Sequence, residues 1–277
     1  MVSYPSAWAG SRARDLVLYP AVVFRFLRHL RRADVVAASF PEAWREQLAA
    51  SVPLWDAMSD EEHTKLEKLV QIFLAEKTFE GAGGLELTDS MRAVIAGRAC
   101  LLVLHRVELD DPLYPDLSSI VVYPGAYRAK GARRAAGGVA IVQDEDRLGE
   151  SSMQGVVVLS WDAVRQGSAN PRDGHDVVLH EFAHQLDAED GVMDGAPALH
   201  ARGKYAAWAH ALKPEYDALV AATERGQATD IRDYGAKNPA EFFAVVTELF
   251  FEKPAELQAR HPELYAQLVS FYAMDPA

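Results

Sequence analysis

Apolar residues recur at helical spacing in several separated stretches of the chain. After Ser59-Asp60-Glu61-Glu62, the positions Leu66, Leu69, Val70, Phe73 and Leu74 follow the three- and four-residue steps of an amphipathic helix, which Gly81-Ala82-Gly83-Gly84 closes. Thr88 opens a second helix through Met91, Val94, Ile95, Cys100, Leu101 and Leu104, apolar on enough sides to lie inside the protein. The period then changes. Ile120 to Tyr123, Val139 to Val142 and Val156 to Leu159 are short runs rich in β-branched residues, parted by Gly, Pro and charge, and they predict a small sheet. From Val177 the pattern is helical almost to the end, with loops at Gly191 to Pro197, Gly226 to Asn238 and around Pro254 and Pro262. Helices beside a segregated sheet predict an α+β fold. The glycines at 81–84 suggest a seam between a helical region 1–85 and a second domain 86–277, with residues 55–85 able to form one compact unit with the latter.

Composition narrows the function classes. A chain of 277 residues with 49% hydrophobic and 25% charged residues fits a soluble globular protein and excludes disorder and a multispan membrane protein. The net charge is −12, yet residues 1–33 carry six arginines against Asp15, leaving 22 basic and 39 acidic residues, a balance of −17, in the remainder. Such a body repels a nucleic-acid duplex, so no direct nucleic-acid partner is expected. The single cysteine, Cys100, allows neither an internal disulfide nor a cysteine-based zinc cluster; it reads as core packing in a reducing compartment. The apolar stretch Leu16 to Phe24 holds Pro20, stops at Arg25 and falls well short of the roughly 20 residues of a membrane span. A basic run follows it where a signal cleavage site would stand, so a cytoplasmic protein is expected. The basic stretch Arg25 to Arg32 reads as a solvated helix face rather than a membrane or partner surface. Arg128 to Gly138 reads as a mobile loop, without the interleaved aromatics of a single-strand binder. No phosphate loop or dinucleotide fingerprint occurs, and Gly149-Glu-Ser151-Ser-Met153 lacks the second glycine of a hydrolase elbow.

The sharp chemical signal is His180-Glu181-Phe182-Ala183-His184, set in an apolar helical run. Residues four apart share a helix face, so both imidazoles can converge on one zinc ion while Glu181 leans toward the place of its water. A catalytic zinc takes a third protein ligand. Asp187 and Asp190 stand where one known downstream pattern needs Gly and His, and Ile231 stands where another needs an aspartate before Tyr234-Gly235. A glutamate on a second helix remains. Asn238-Pro239 opens such a helix, and Glu241 and Glu248, seven apart, share its face. Glu241 also occupies the position of a capping-box acid, and spacing alone leaves both roles open. Asp187, on the face of the two histidines, is a candidate acceptor for an imidazole N–H, as is Glu248. Val156 to Leu159 is the candidate strand for binding an extended peptide, with Val156, Val158 and Trp161 as its contact residues.

These residues carry a resemblance. His180-Glu-Phe-Ala-His184-Gln-Leu-Asp187, Tyr234 and Asn238-Pro-Ala-Glu241-Phe-Phe-Ala resemble the Mlc titration factor A family of zinc metallopeptidases, itself similar to the catalytic domain of anthrax lethal factor. The likeness extends to Leu87-Thr-Asp, Ala99-Cys-Leu-Leu, Val121-Val-Tyr-Pro124 and Gly155-Val-Val-Val-Leu-Ser-Trp161, covering most of 55–277. It implies a zincin-like peptidase with His180, His184 and Glu241 holding one Zn²⁺, Glu181 as catalytic base and Tyr234 donating to the reacting carbonyl oxygen. A peptide or protein substrate follows from it. Family members in enteric bacteria also bind the repressor Mlc, so a transcriptional repressor is the second partner the resemblance brings into view.

Overall fold

Four short strands make the sheet: β1 (Thr78–Gly81), β2 (Ser119–Tyr123), β3 (Gly149–Ser152) and β4 (Val156–Ser160), in the order β1-β2-β4-β3. The computed structural model describes residues 20–125, 155–199 and 202–277, together with short strand segments between 127 and 152. Strands β1, β2 and β4 run parallel, with Phe79 opposite Ile120 and Ile120 opposite Val157, while β3 returns antiparallel with Ser151 opposite Val157. Burial alternates along β2 and β4, with Ile120, Val122, Val157 and Leu159 inward, as one packed face requires.

Two of the expected strands are therefore present. Of the third, Ala140–Ile141 pairs with Arg133–Arg134 in a separate two-stranded ladder, and the rest of it lies outside the described residues. Most of the expected loop 128–138 lies outside them too. Strand β1 corrects the reading of 1–85 as helical. It adds to the edge of β2 because Lys77 Nζ donates to the carbonyls of Tyr114 and Leu117, at 2.8 and 2.7 Å, and so ties its entry to the loop that leads into β2.

Ten α-helices occur among the described residues: α1 (Pro20–Ala37), α2 (Glu42–Ser51), α3 (Asp60–Glu76), α4 (Asp89–Leu101), α5 (Trp161–Ala169), α6 (Val177–Asp187), α7 (Arg202–Glu224), α8 (Pro239–Glu252), α9 (Pro254–Arg260) and α10 (Pro262–Tyr272). Local chemistry sets their starts. Ser59 and Glu62 form a reciprocal capping box at α3, Thr88 caps α4, and α8, α9 and α10 each begin with proline, whose missing N–H costs nothing there. One buried cluster runs from Leu48 to Tyr272, drawing on both sides of the glycines at 81–84 and including the fully buried Cys100. Phe73, Tyr114 and Phe182 meet edge to face or tilted beneath α6.

The basic face of α1 departs from the solvated reading at Arg32, which is 4% exposed. Its guanidinium binds both oxygens of Glu76, at 2.7 and 2.8 Å, and the carbonyl of Asp111 at 2.7 Å, a planar fork used to dock α1. No described helix is long and apolar enough to cross a membrane.

Candidate metal centre

Helix α6 is buried along its whole length, and its start is fixed by polar contacts that apolar packing cannot supply. Asp176 caps it, its Oδ1 accepting from the N–H groups of Val178 and Leu179 at 2.8 and 3.1 Å. Its Oδ2 lies 2.9 Å from Arg98 Nη1, and both side chains are wholly buried. Arg98 reaches on from α4 to the carbonyls of Ser51 and Val164. Burial raises the Asp176 pKa, and Arg98 opposes that shift. The loop before the cap is clipped to α8 by Glu252, whose Oε2 accepts from Gly174 and His175 at 2.7 and 3.0 Å. Burial, with nearby Asp176, pushes the Glu252 pKa up to about 8.

Helix α8 supplies the acids. Asn238 caps it by accepting from Glu241 N–H at 2.9 Å. The carboxylate of Glu241 reaches the histidines instead, with Oε2 3.0 Å from His180 Nε2 and 3.3 Å from His184 Nε2. Two turns later the fully buried Glu248 places Oε1 2.8 Å from His180 Nδ1 and accepts the Asp176 N–H on Oε2 at 2.6 Å. Arg232 donates to the same Oε1. Burial alone would lower the His180 pKa, but the hydrogen bonds to Glu241 and Glu248 carry it up to about 10. Glu241 is held far below the ordinary carboxylate range: burial pushes it up, and the two histidines outweigh that.

His180, His184 and Glu241 offer donor atoms within 4.8 Å of one another. Tetrahedral ligands on a zinc ion stand about 3.3 Å apart for bonds near 2.0–2.1 Å. The 3.0 and 3.3 Å spacings from the Glu241 oxygen to the two ring nitrogens are compatible with that ion. Two imidazoles and a carboxylate are a catalytic-zinc donor set, and the Glu248 contact on the far nitrogen of His180 is the usual way such a ring is oriented. Zinc fits these residues.

The remaining candidates divide. Glu181 is 5% exposed on α6. Tyr234, 39% exposed on the 3-10 turn Asp233–Ala236, stands edge to face with His180 at 5.7 Å between ring centroids, and Lys237 Nζ lies 4.0 Å from its ring centre. Asp187 makes no hydrogen bond to an imidazole. Its Oδ2 accepts from Gly195 N–H at 2.9 Å, while its Oδ1 and His184 Nδ1 make no hydrogen bond, because the carboxylate at the end of α6 is turned to the following loop. Burial pushes its pKa up to about 6. Strand β4 is interior: Val156 pairs with Ser119 on one side and Ser152 on the other, and Val158 with Val121 and Glu150, so neither edge is open to a peptide. Among the described residues the outer strands of the sheet are β1 and β3. Trp161 begins α5, half-buried against the core. Sequence reasoning missed Asp176, Arg98 and Arg232. The Asp before an apolar helix is a readable cap signal, whereas nothing local marks the two arginines.

A family model described as glucose-regulated metallo-peptidase M90 matches residues 27–273. A Synechocystis protein, Uncharacterized protein slr2042, is 40% identical over 247 residues, covering 89% of each chain. Mlc titration factor A of Pectobacterium atrosepticum is 33% identical over 238 residues, 85% of this chain and 87% of that one. The protein of the same name from Escherichia coli is 31% identical over 236 residues, 84% of this chain and 86% of that one.

Proposed function

This chain belongs to the glucose-regulated metallo-peptidase M90 family, and from that premise we propose that it is a zinc-dependent, zincin-like peptidase. The observation that carries the reading is the meeting of His180 Nε2, His184 Nε2 and a Glu241 oxygen at one point, beside the buried Glu181 on the same helix. In this reading the three hold Zn²⁺. When bound, the ion supplies Lewis acidity that polarises a peptide carbonyl and acidifies a water.

The chain's own residues do the rest. Glu181 takes the proton from the attacking water and passes it to the leaving amine, a role suited to a carboxylate that the rigid α6 holds in place. Tyr234 donates its hydroxyl hydrogen to the carbonyl oxygen as negative charge builds there. Glu248 accepts from His180 Nδ1 and keeps the other nitrogen aimed at the ion. An extended substrate lies along β3, the outer strand that packs beside α6, where backbone groups can pair with it.

The test is Glu181→Gln in the zinc-loaded protein with a peptide library as substrate. The expected outcome is a loss of roughly 10²- to 10⁴-fold in kcat with zinc content unchanged. Unchanged cleavage eliminates the mechanism. Tyr234→Phe is expected to cost about a hundredfold in kcat at full zinc occupancy.

The name Mlc titration factor A, carried by relatives, favours a second reading: a binding protein that sequesters a transcriptional repressor, with cleavage incidental. A pure binder has no need of a base beside the metal position. Glu181→Gln separates the two, since sequestration survives the substitution and cleavage does not.

A further inference from the structure

We propose that Arg232 is a positioning residue of the metal centre, acting through Glu248 to hold the His180 ring and the Tyr234 turn in one arrangement; this rests on the zinc site proposed above. Arg232 caps the 3-10 turn that carries Tyr234, two residues before it. Its Nη2 donates to Glu248 Oε1, the oxygen that also meets His180 Nδ1. One carboxylate oxygen therefore joins the ligand ring to the turn.

Charge balance explains why an arginine is needed. Glu248 has no exposed surface, and its other oxygen is taken by the Asp176 N–H. The other buried cation nearby, Arg98, is already paired with Asp176 at 2.9 Å. A histidine that binds a metal through Nε2 is neutral, so once zinc is held His180 gives Glu248 a hydrogen bond but no cation. Arg232 is then the positive charge facing that buried carboxylate. Removing it leaves an unpaired charge in the interior, which the site relieves by moving Glu248, and the ring loses its orienting acceptor. Nothing else among the described residues claims the guanidinium: Glu248 is its ion-pair partner, its Nε is buried without a hydrogen-bond acceptor, and the side chain is 32% exposed.

The experiment measures zinc affinity of the full chain by competition with a fluorescent chelator, with circular dichroism reporting folding. Arg232→Gln is expected to weaken zinc binding by about 10- to 100-fold, the range for loss of an outer-shell partner. Arg232→Lys, which keeps the charge but not the planar fork, is expected to lose about three- to tenfold. In a Glu248→Gln background Arg232→Gln should change the affinity by less than about twofold, because the two residues act in series. Unchanged affinity in both Arg232 variants overturns the proposal, as does an equal loss with and without Glu248. If Arg232→Gln fails to fold, Arg232→Lys and the comparison of Glu248→Gln with the doubly neutral variant decide by the same criteria. Wild-type protein that binds no zinc, or binds it equally well after His184→Ala, refutes the metal site itself; tight wild-type binding indifferent to Arg232 refutes this inference alone.

Discussion

His180 stands between two carboxylates, Glu241 on Nε2 and Glu248 on Nδ1, and that placement decides what must happen when a cation arrives. With its pKa raised to about 10, the metal-free ring is an imidazolium at neutral pH. Zinc needs the neutral ring, so binding expels a proton, and apparent affinity should rise about tenfold per pH unit on the acid side of that pKa. Calorimetric titration with zinc in buffers of different ionisation enthalpy should report about one proton released near pH 7. Glu252 gives the opposite dependence. Its folded pKa, about 8, lies above the ordinary carboxylate value, so the stability tied to its protonated form is complete below the unfolded pKa and is lost as pH rises toward 8. Glu252→Gln should remove that loss, making the variant more stable than wild type at about pH 8 by up to roughly 4 kcal/mol, with most of the advantage gone near about pH 5. Denaturant unfolding at the two pH values checks it. At this scale the sequence was legible where residues are neighbours on one helix: His180, Glu181 and His184 could be read together because α6 alone places them. Glu241 was ambiguous because the same position serves as a capping acid, and only its carboxylate's direction, toward the imidazoles and away from Asn238, settles the contact.

Helix α6 owes its fixed start to an ion pair that looks anomalous in an otherwise apolar helix. Arg98 belongs to α4, read from its pattern as an interior helix, and it is wholly buried there. Breaking a buried pair from one side strands the other charge, so Arg98→Leu is expected to cost about 3–5 kcal/mol, measured by urea denaturation of the metal-free protein. Loss of less than about 1 kcal/mol would mean that Asp176 is satisfied by its cap bonds alone. The far end of α6 is held by Gly195, whose N–H binds Asp187 and whose carbonyl accepts from Trp208 Nε1 at 2.9 Å. A Cβ at this residue, φ +80°, would stand 2.3 Å from the Pro239 carbonyl oxygen, so the loop runs flush against the start of the helix that carries Glu241. The strands show the limit of pattern reading. Runs rich in valine and isoleucine gave β2 and β4, whereas Thr-Phe-Glu-Gly and Gly-Glu-Ser-Ser become β1 and β3 by pairing with an edge that already exists.

Across the whole molecule, the proposed metal would join helices far apart in sequence, since α6 carries His180 and His184 and α8 carries Glu241. A cation that binds only the folded form should stabilise the chain by about 2.7 kcal/mol at a hundredfold excess over Kd, a shift of about 5 °C or more in Tm. A thermal scan with zinc and then with chelator checks this, and His184→Ala should abolish the difference. The family likeness read from scattered motifs holds for residues 27–273, beyond the stretch 55–277 on which it was first seen, because α1 and α2 pack on the core that those motifs build. The sequence by itself determined the α+β class, the placement of His180, Glu181 and His184 on one helix, and the starts of α3, α4 and α8, all of which depend on residues within a few positions of one another. The tertiary structure alone decided which strands lie at the sheet's edges, that Glu248 rather than Asp187 meets an imidazole, and that Arg98 and Arg232 balance buried acids. Those outcomes depend on which charges and edges meet after the chain has closed, and no local period records such meetings.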